Sequence, residues 1–321
     1  MTKTCEAKRL LIKFSSRNNV KIFSDGDIDG VFGTGLLLLG LNTNDIEIPL
    51  KNIRFPHPLS FRKLKINNSI LIELPITKGL KYVGENILVD HHKDFSEVTL
   101  YKDYEKVVQV KMDLTPSICR TIFNIFRNEF KILPQSILNI IKSIDNIDQG
   151  ILLNRLDKKV FYAFQLHVQK NIERKIIVKW IVNYEWDKIN NFIEGEREKY
   201  ELIEKIVKDK INSSQKMFKD IVYFTYNPKK ILERVAMREA MFRLEEKYKI
   251  VISIGLKNNM AFKASIGTRN PEIDLNKIYD DLRNMDGITA GGRRNIGGVQ
   301  FNPIELREVL EIFRKIFKKL L

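Results

Sequence analysis

The sequence predicts an α/β protein built on a mostly parallel sheet, and three observations carry that expectation. Short apolar runs at 20–23, 70–72 and 87–89 have the length and β-branched content of buried strands. Stretches with helical periodicity alternate with them, the pattern of strand–helix–strand units. Each run also ends on charged or imidazole side chains: Asp25 after the first, Glu73 after the second, Asp90 and two histidines after the third. Ligands of open α/β sheets collect at the carboxyl ends of the strands.

Taken in order, residues 1–17 read as mixed and peripheral. Strand 20–23, an aspartate loop and a helix at 31–40 follow, in which Gly30, Gly33 and Gly35 permit close packing on the sheet. Residues 46–53 read as another strand, and the Phe-Pro-His-Pro at 55–58 interrupts it. From Pro116 the period becomes helical, through Ile118, Ile122, Phe123 and Phe126, then Ile137, Ile140, Ile141 and Ile144. The second of these helices runs into Asp145 and Asp148, two carboxylates placed against the unfavourable pole of the helix dipole unless a cation joins them.

Residues 162–216 read as charged helices with Trp180, Tyr184 and Trp186, and 194–210 as one long connecting helix. A second α/β unit follows: strand 220–224, helix 228–249, paired strands 250–254 and 261–266 about Lys257-Asn258-Asn259, and a helix at 275–282. Gly291-Gly292-Arg293-Arg294-Asn295-Ile296-Gly297-Gly298 then reads as a loop whose backbone amides can approach an anion, with Arg293 or Arg294 able to hold a phosphate bidentately. An amphipathic helix at 305–321 closes the chain.

At 321 residues, 44% hydrophobic and 30% charged, the chain is long enough for two domains with separate cores. No apolar run reaches the roughly twenty residues that span a bilayer, and the N-terminus lacks an apolar signal core, so the expected location is cytoplasmic. Two cysteines, Cys5 and Cys119, make no disulfide framework and no Cys-x-x-Cys zinc site. The net charge of +15 points to a polyanionic partner such as nucleic acid.

The chemistry concentrates in Asp25-Gly26-Asp27-Ile28-Asp29-Gly30 and Asp90-His91-His92. Carboxylates this close repel unless a cation neutralises them. Imidazole added to oxygen ligands suits Mn²⁺ better than Ca²⁺. The two stretches therefore read as one metal site.

Together these residues resemble the DHH/DHHA1 phosphoesterase superfamily, in particular its RecJ-like single-strand nucleases of archaeal type. Asp25, Asp27, Asp29 and Gly30 match the Asp-x-Asp-x-Asp-Gly motif, and Asp90-His91-His92 matches the signature triplet. Glu73 stands where the family has aspartate, and the late aspartate falls at Asp145, with Asp148 as the alternative. The 291–298 segment resembles the DHHA1 glycine motif, with Arg293 in place of its histidine; an arginine binds phosphate but cannot serve as acid or base.

The resemblance implies a doubly wound DHH domain over 1–195, a helical connector over 196–218 and a DHHA1 substrate-binding domain over 219–321. It implies two Mn²⁺ or Mg²⁺ ions on Asp25, Asp27, Asp29, Glu73, His91 and Asp145, with Asp29 bridging. Asp90 would orient an imidazole, His92 would lie near the phosphate, and Gly291, Gly292, Arg293, Arg294, Gly297, Gly298 and Arg269 would bind substrate. The implied activity is hydrolysis of single-stranded DNA or RNA, or of short oligonucleotides, in repair or replication. Two alternatives stand beside it: a cyclic-dinucleotide or nanoRNA phosphodiesterase, and a non-catalytic replication scaffold binding GINS-type partners.

Overall fold

A computed structural model of the chain describes residues 2–56, 64–74, 81–292 and 294–320, the side chains of 319 and 320 excepted. It divides into two compact units, Met1–Gly195 and Glu196–Leu321.

The first unit begins with helix α1 (Lys3–Ser15), strand β1 (Lys21–Ser24) and helix α2 (Ile28–Asn42). Strands β2 (Ile53–Arg54), β3 (Lys65–Ile66), β4 (Ser69–Ile72), β5 (Lys81–Tyr82), β6 (Glu85–Asp90), β7 (Ser96–Lys102) and β8 (Glu105–Met112) follow. Helices α3 (Ile118–Ile125), α4 (Gln135–Asp148), α5 (Arg155–His167), α6 (Asn171–Val182) and α7 (Trp186–Glu194) complete it. The main sheet has the order β2-β1-β4-β6-β7-β8. Its first four strands are parallel, and β7 and β8 add an antiparallel edge. All four residues of β4 are buried, as expected of a parallel strand covered on both faces. The fold is α/β with a mostly parallel sheet, as the alternation of strand and helix patterns predicts.

Three local expectations change. The stretch read as peripheral holds the ordered helix α1, Lys3–Ser15, because Ala7, Leu11 and Phe14 fall on one face and are buried. The expected strand at 46–53 shrinks to β2, since Leu50–Asn52 forms a short 3-10 turn instead. The hairpin β7–β8 is an addition to the expected elements, and in it Val108, Val110 and Met112 alternate with polar residues in the manner of an edge strand.

Helix α2 follows from the composition of its stretch. Every residue from Ile28 to Leu41 is buried, so the helix is apolar all round rather than amphipathic. Glycines make room for its neighbours: a Cβ on Gly35 would meet Ile181 of α6 at 2.5 Å, and one on Gly40 the Phe126 ring at 2.5 Å.

The second unit runs through α8 (Arg197–Asn212), β9 (Gln215–Phe218), β10 (Ile221–Tyr226), α9 (Ile231–Glu245), β11 (Ile250–Lys257), β12 (Met260–Gly267), α10 (Leu275–Arg283), β13 (Ile288–Gly292), β14 (Ile296–Glu305) and α11 (Leu306–Leu320). Its sheet has the order β13-β14-β12-β11-β10-β9, parallel only between β10 and β11. The β11–β12 turn places Asn258 at φ 51° and Asn259 at φ 61°, left-handed conformations that asparagine tolerates. The expected single helix over 194–210 breaks at Gly195. Buried Tyr200, Ile203 and Val207 face α8 into its own unit, where it packs on α9.

The glycine-rich segment is also not an open loop. Gly291 pairs with Gly298 and Gly292 with Gly297 across the β13–β14 ladder. A Cβ on Gly292 would lie 2.3 Å from the Gly297 Cα and 2.3 Å from the Ile296 carbonyl, both backbone atoms that cannot step aside. Gly292→Ala is therefore expected to destabilise the protein by about 1–3 kcal/mol, as overpacking does, read as a lowered midpoint in urea. An unchanged midpoint would show that the hairpin is not held this closely.

Candidate metal centre

Strand β1 ends at Ser24, and the chain turns through Asp25 and Gly26 into α2, whose N-cap is Asp27. The Asp27 side chain accepts from Gly30 N at 2.9 Å, and Asp25 Oδ1 accepts from Asp27 N at 3.3 Å. Short polar side chains are favoured at helix starts for this reason. The loop is tight: a Cβ on Gly30 would stand 2.3 Å from Ser24 Oγ and 2.5 Å from Asp25 Oδ1.

Asp29, in the first turn of α2, is fully buried. Its Oδ2 accepts from Ile118 N at 2.7 Å and its Oδ1 from Cys119 N at 2.8 Å, so it caps the start of α3 and ties two helices together. At the end of β4, Glu73 adopts left-handed backbone geometry, φ 58°, while its N–H donates to the Val89 carbonyl at 3.1 Å. Such a conformation in a residue other than glycine costs about 1–3 kcal/mol and persists where surroundings impose it. It turns the Glu73 carboxylate away from the strand and toward the β6 cluster.

There, Asp90 Oδ1 accepts from His91 N at 2.9 Å, from His92 N at 3.3 Å and from His92 Nδ1 at 2.6 Å. His91 Nδ1 lies 3.3 Å from the Thr115 carbonyl, which accepts a hydrogen bond there and leaves Nε2 with its lone pair. That Nε2 meets Glu73 Oε1 at 3.0 Å, Asp148 Oδ2 at 3.5 Å and Asp29 Oδ2 at 3.6 Å.

The donors fall into overlapping groups whose atoms lie within 4.8 Å of one another: Asp25, Asp27 and Glu73; Asp29, Glu73, His91 and Asp148; Glu73, His91 and His92. Glu73 belongs to all of them. Its Oε2 is buried with no hydrogen-bond partner among the described residues, as is Ser24 Oγ beside it. Burial first, then the charges of Asp148 and Asp27, push the Asp29 carboxyl well above its usual range, against the pull of the two α3 amides. Burial first, then Asp25, Asp29, Asp27 and Asp148, push Glu73 up likewise. For Asp90, burial also raises the pKa, but the hydrogen bonds and charge of His92 outweigh it and hold the net value low. An imidazole lone pair facing crowded carboxylates, one with an orphaned oxygen, is a donor set that fits divalent cations.

The structure thus brings Asp25, Asp27, Asp29, Glu73 and His91 together, with His92 adjoining them through Glu73. It does not bring Asp145 in. That carboxylate accepts from Arg120 Nε at 2.9 Å, Arg120 Nη2 at 2.6 Å and Ser117 Oγ at 2.6 Å, and Asp148, one turn later, takes the place at the cluster. The two are three residues apart on α4 and share a face, so the positions of Ser117 and Arg120 distinguish them. Thr115 and Arg120 had no local signal in the sequence.

In the second unit, Arg269 Nε stands 3.8 Å from Glu245 Oε2, and the Arg294 guanidinium donates to the Pro271 carbonyl at 2.6 Å. Gly291, Gly292, Gly297 and Gly298 are engaged in the ladder described above, so the expected cradle of free amides is a hairpin instead. Arg293 lies outside the described residues. No helix among the described residues is long and apolar enough to cross a membrane.

The sequence matches no family model and no curated protein. Two solved structures resemble it over nearly the whole chain. One is a pGpG-specific phosphodiesterase from Vibrio cholerae, with TM-score 0.58, 14% identity, and coverage of 94% of this chain and 98% of that one. The other is described as the DHH domain of a member of a ribosomal protein family, with TM-score 0.52, 13% identity, and coverage of 98% and 90%. At such identities the likeness concerns the fold: the chain has a DHH-type α/β fold, with clusters of acidic and histidine side chains able to bind metal.

Proposed function

We propose that the protein is a metal-dependent phosphodiesterase of the DHH/DHHA1 superfamily, acting on short oligonucleotides or on the ends of single-stranded nucleic acid. The observation that carries this reading is the sharing of Glu73 between two donor groups, Asp25–Asp27 on one side and Asp29–His91–Asp148 on the other. A carboxylate common to both groups is suited to bridging two ions. Bound there, Mn²⁺ or Mg²⁺ would supply a hydroxide from bound water and offset charge on the phosphate.

The chain's own residues do the rest. Asp90 fixes the His92 ring through Nδ1 and leaves Nε2, 3.7 Å from Glu73 Oε1, directed at the same region. In the neutral ring that atom carries a lone pair suited to a cation beside Glu73 and His91; only as the imidazolium does it donate to a phosphate oxygen. Thr115 fixes His91 in the tautomer that presents Nε2. The excess of +15 favours a polyanionic substrate, and the likeness to a pGpG-specific phosphodiesterase supports a short one. A RecJ-like exonuclease would use the same chemistry on longer strands.

The test is hydrolysis of pGpG and of end-labelled single-stranded DNA and RNA with Mn²⁺, beside Asp27→Ala. Cleavage lost in the variant is the expected result, and its step size separates a dinucleotide phosphodiesterase from an exonuclease. Intact substrates throughout would sink the proposal in favour of a binding scaffold. Equilibrium dialysis against Mn²⁺ checks the ligand set: Asp148→Asn should lose part of the bound metal. Asp145→Asn should keep the metal but lower stability by about 1.5–3 kcal/mol through the weakened Arg120 pair. Equal metal loss in both variants would count against this assignment.

A further inference from the structure

The loop that carries Asp25 and Asp27 has a guanidinium pressed against it. Arg174, in the first turn of α6, places Cζ 2.9 Å and Nε 3.0 Å from the point where a Cβ on Gly26 would be. Gly26 has φ +84°, so glycine is required there both for the turn and for the approach of the guanidinium. The same guanidinium lies 5.9 Å from the Phe55 ring centroid. Its one described hydrogen bond is a long one, Nη1 to Asn171 Oδ1 at 3.4 Å. Arg174 Nε is buried without a partner among the described residues, and none of their carboxylates forms an ion pair with it. An arginine has five N–H donors to satisfy, and among the described residues Arg174 donates only to Asn171.

The neighbourhood is unusually positive for its position. Lys175 follows on α6, with burial first and then Arg54 pushing its pKa down, and Arg54 ends β2 beside the end of β1. For Arg174, burial disfavours the charged form, while Asp25, Asp27 and, after them, its sequence neighbour Glu173 favour it. The balance with Asp25 and Asp27 holds only while those two are uncompensated. Once divalent cations take up Asp25 and Asp27, Arg174 is left as surplus positive charge beside positive ions. An anion then restores the balance.

We propose that Arg174 is a substrate-positioning residue that binds a phosphate oxygen of the nucleotide on the Asp25–Asp27 side of the centre, with Lys175 and Arg54 attracting the phosphate next in the chain. The inference rests on the phosphodiesterase reading for the identity of the substrate, but its anion-binding core is testable without turnover. Guanidinium groups suit this role because they donate in pairs to phosphate oxygens.

The experiment uses the full chain as wild type, Arg174→Ala and Arg174→Lys. Bound Mn²⁺ is measured by equilibrium dialysis, and inorganic phosphate binding to the Mn²⁺-loaded protein by ³¹P relaxation. The kcat and KM for pGpG complete the set. Arg174→Ala should keep its Mn²⁺ stoichiometry, bind phosphate roughly tenfold to a hundredfold more weakly, and raise KM more than it lowers kcat. Arg174→Lys should recover part of the phosphate affinity as a point charge, and it decides the matter if the alanine variant does not fold.

Phosphate affinity equal to wild type would overturn the proposal. So would a parallel loss of Mn²⁺, which would make Arg174 a support for the aspartate loop. If wild type hydrolyses neither pGpG nor polymer, the phosphodiesterase reading fails, while the phosphate titration still decides the role of Arg174.

Discussion

Glu73→Gln is expected to lower Mn²⁺-dependent hydrolysis by about a thousandfold, the loss of roughly 4 kcal/mol of metal-based stabilisation. The change keeps the size of the side chain and removes only its charge. Glu73 is the residue common to every donor group, so one neutralised carboxylate weakens both halves of the centre. Neutralising Asp25 or Asp27 affects one half. The matched measurement is bound Mn²⁺ per chain by dialysis, which should fall together with activity. Full activity in Glu73→Gln would remove the bridging role and with it the two-ion reading.

The second large effect is on stability, and it has a definite sign. Burial and neighbouring carboxylates raise the pKa values of Asp29 and Glu73 in the folded chain. Between the ordinary carboxylate values, about 4, and those raised values, the folded chain holds more protons than the unfolded one. The contribution of these groups is thus fully present at pH below about 4 and is lost as pH rises through their folded values. Asp90 and Glu97, whose pKa values are lowered, act in the opposite sense, so the informative quantity is a difference.

With a chelator present, Glu73→Gln should be more stable than wild type at pH 7, and the gap should close as the pH falls toward 4. Saturating Mn²⁺ should reverse the order, because a cation at a thousand times its Kd stabilises a fold by about 4 kcal/mol. Thermal melts at two pH values, each with and without Mn²⁺, settle this. A wild type that is the more stable protein in chelator at pH 7 would contradict the electrostatic account of the cluster.

Much of this site was legible in the chain because its parts are local. An apolar run followed at once by Asp25, Asp27 and Asp29, and another followed by Asp90, His91 and His92, fix a strand end and a donor set together. Glu73 was legible for the same reason. What the sequence could not resolve was set by distant partners. Asp145 and Asp148 differ in that Ser117 and Arg120 engage the first, from 28 and 25 residues upstream of it. Arg174 belongs to no motif and reaches the aspartate loop only because α6 packs against α2. The glycines at 291–298 suggest freedom to meet an anion, whereas the fold uses the missing Cβ of Gly292 and Gly297 to bring two strands together. In the first helix frequent charges mask the spacing of Ala7, Leu11 and Phe14.

Helix α2 has no solvent face from Ile28 to Leu41, and Asp27 and Asp29 stand at its start. A segment enclosed on every side cannot fray or open on its own; its amides exchange with solvent only when the surrounding unit opens as a whole. Two of the donor carboxylates are therefore fastened to the slowest-exchanging part of the first unit. Ions bound as proposed could then be removed by a chelator with their seats left in place, ready to be refilled without refolding.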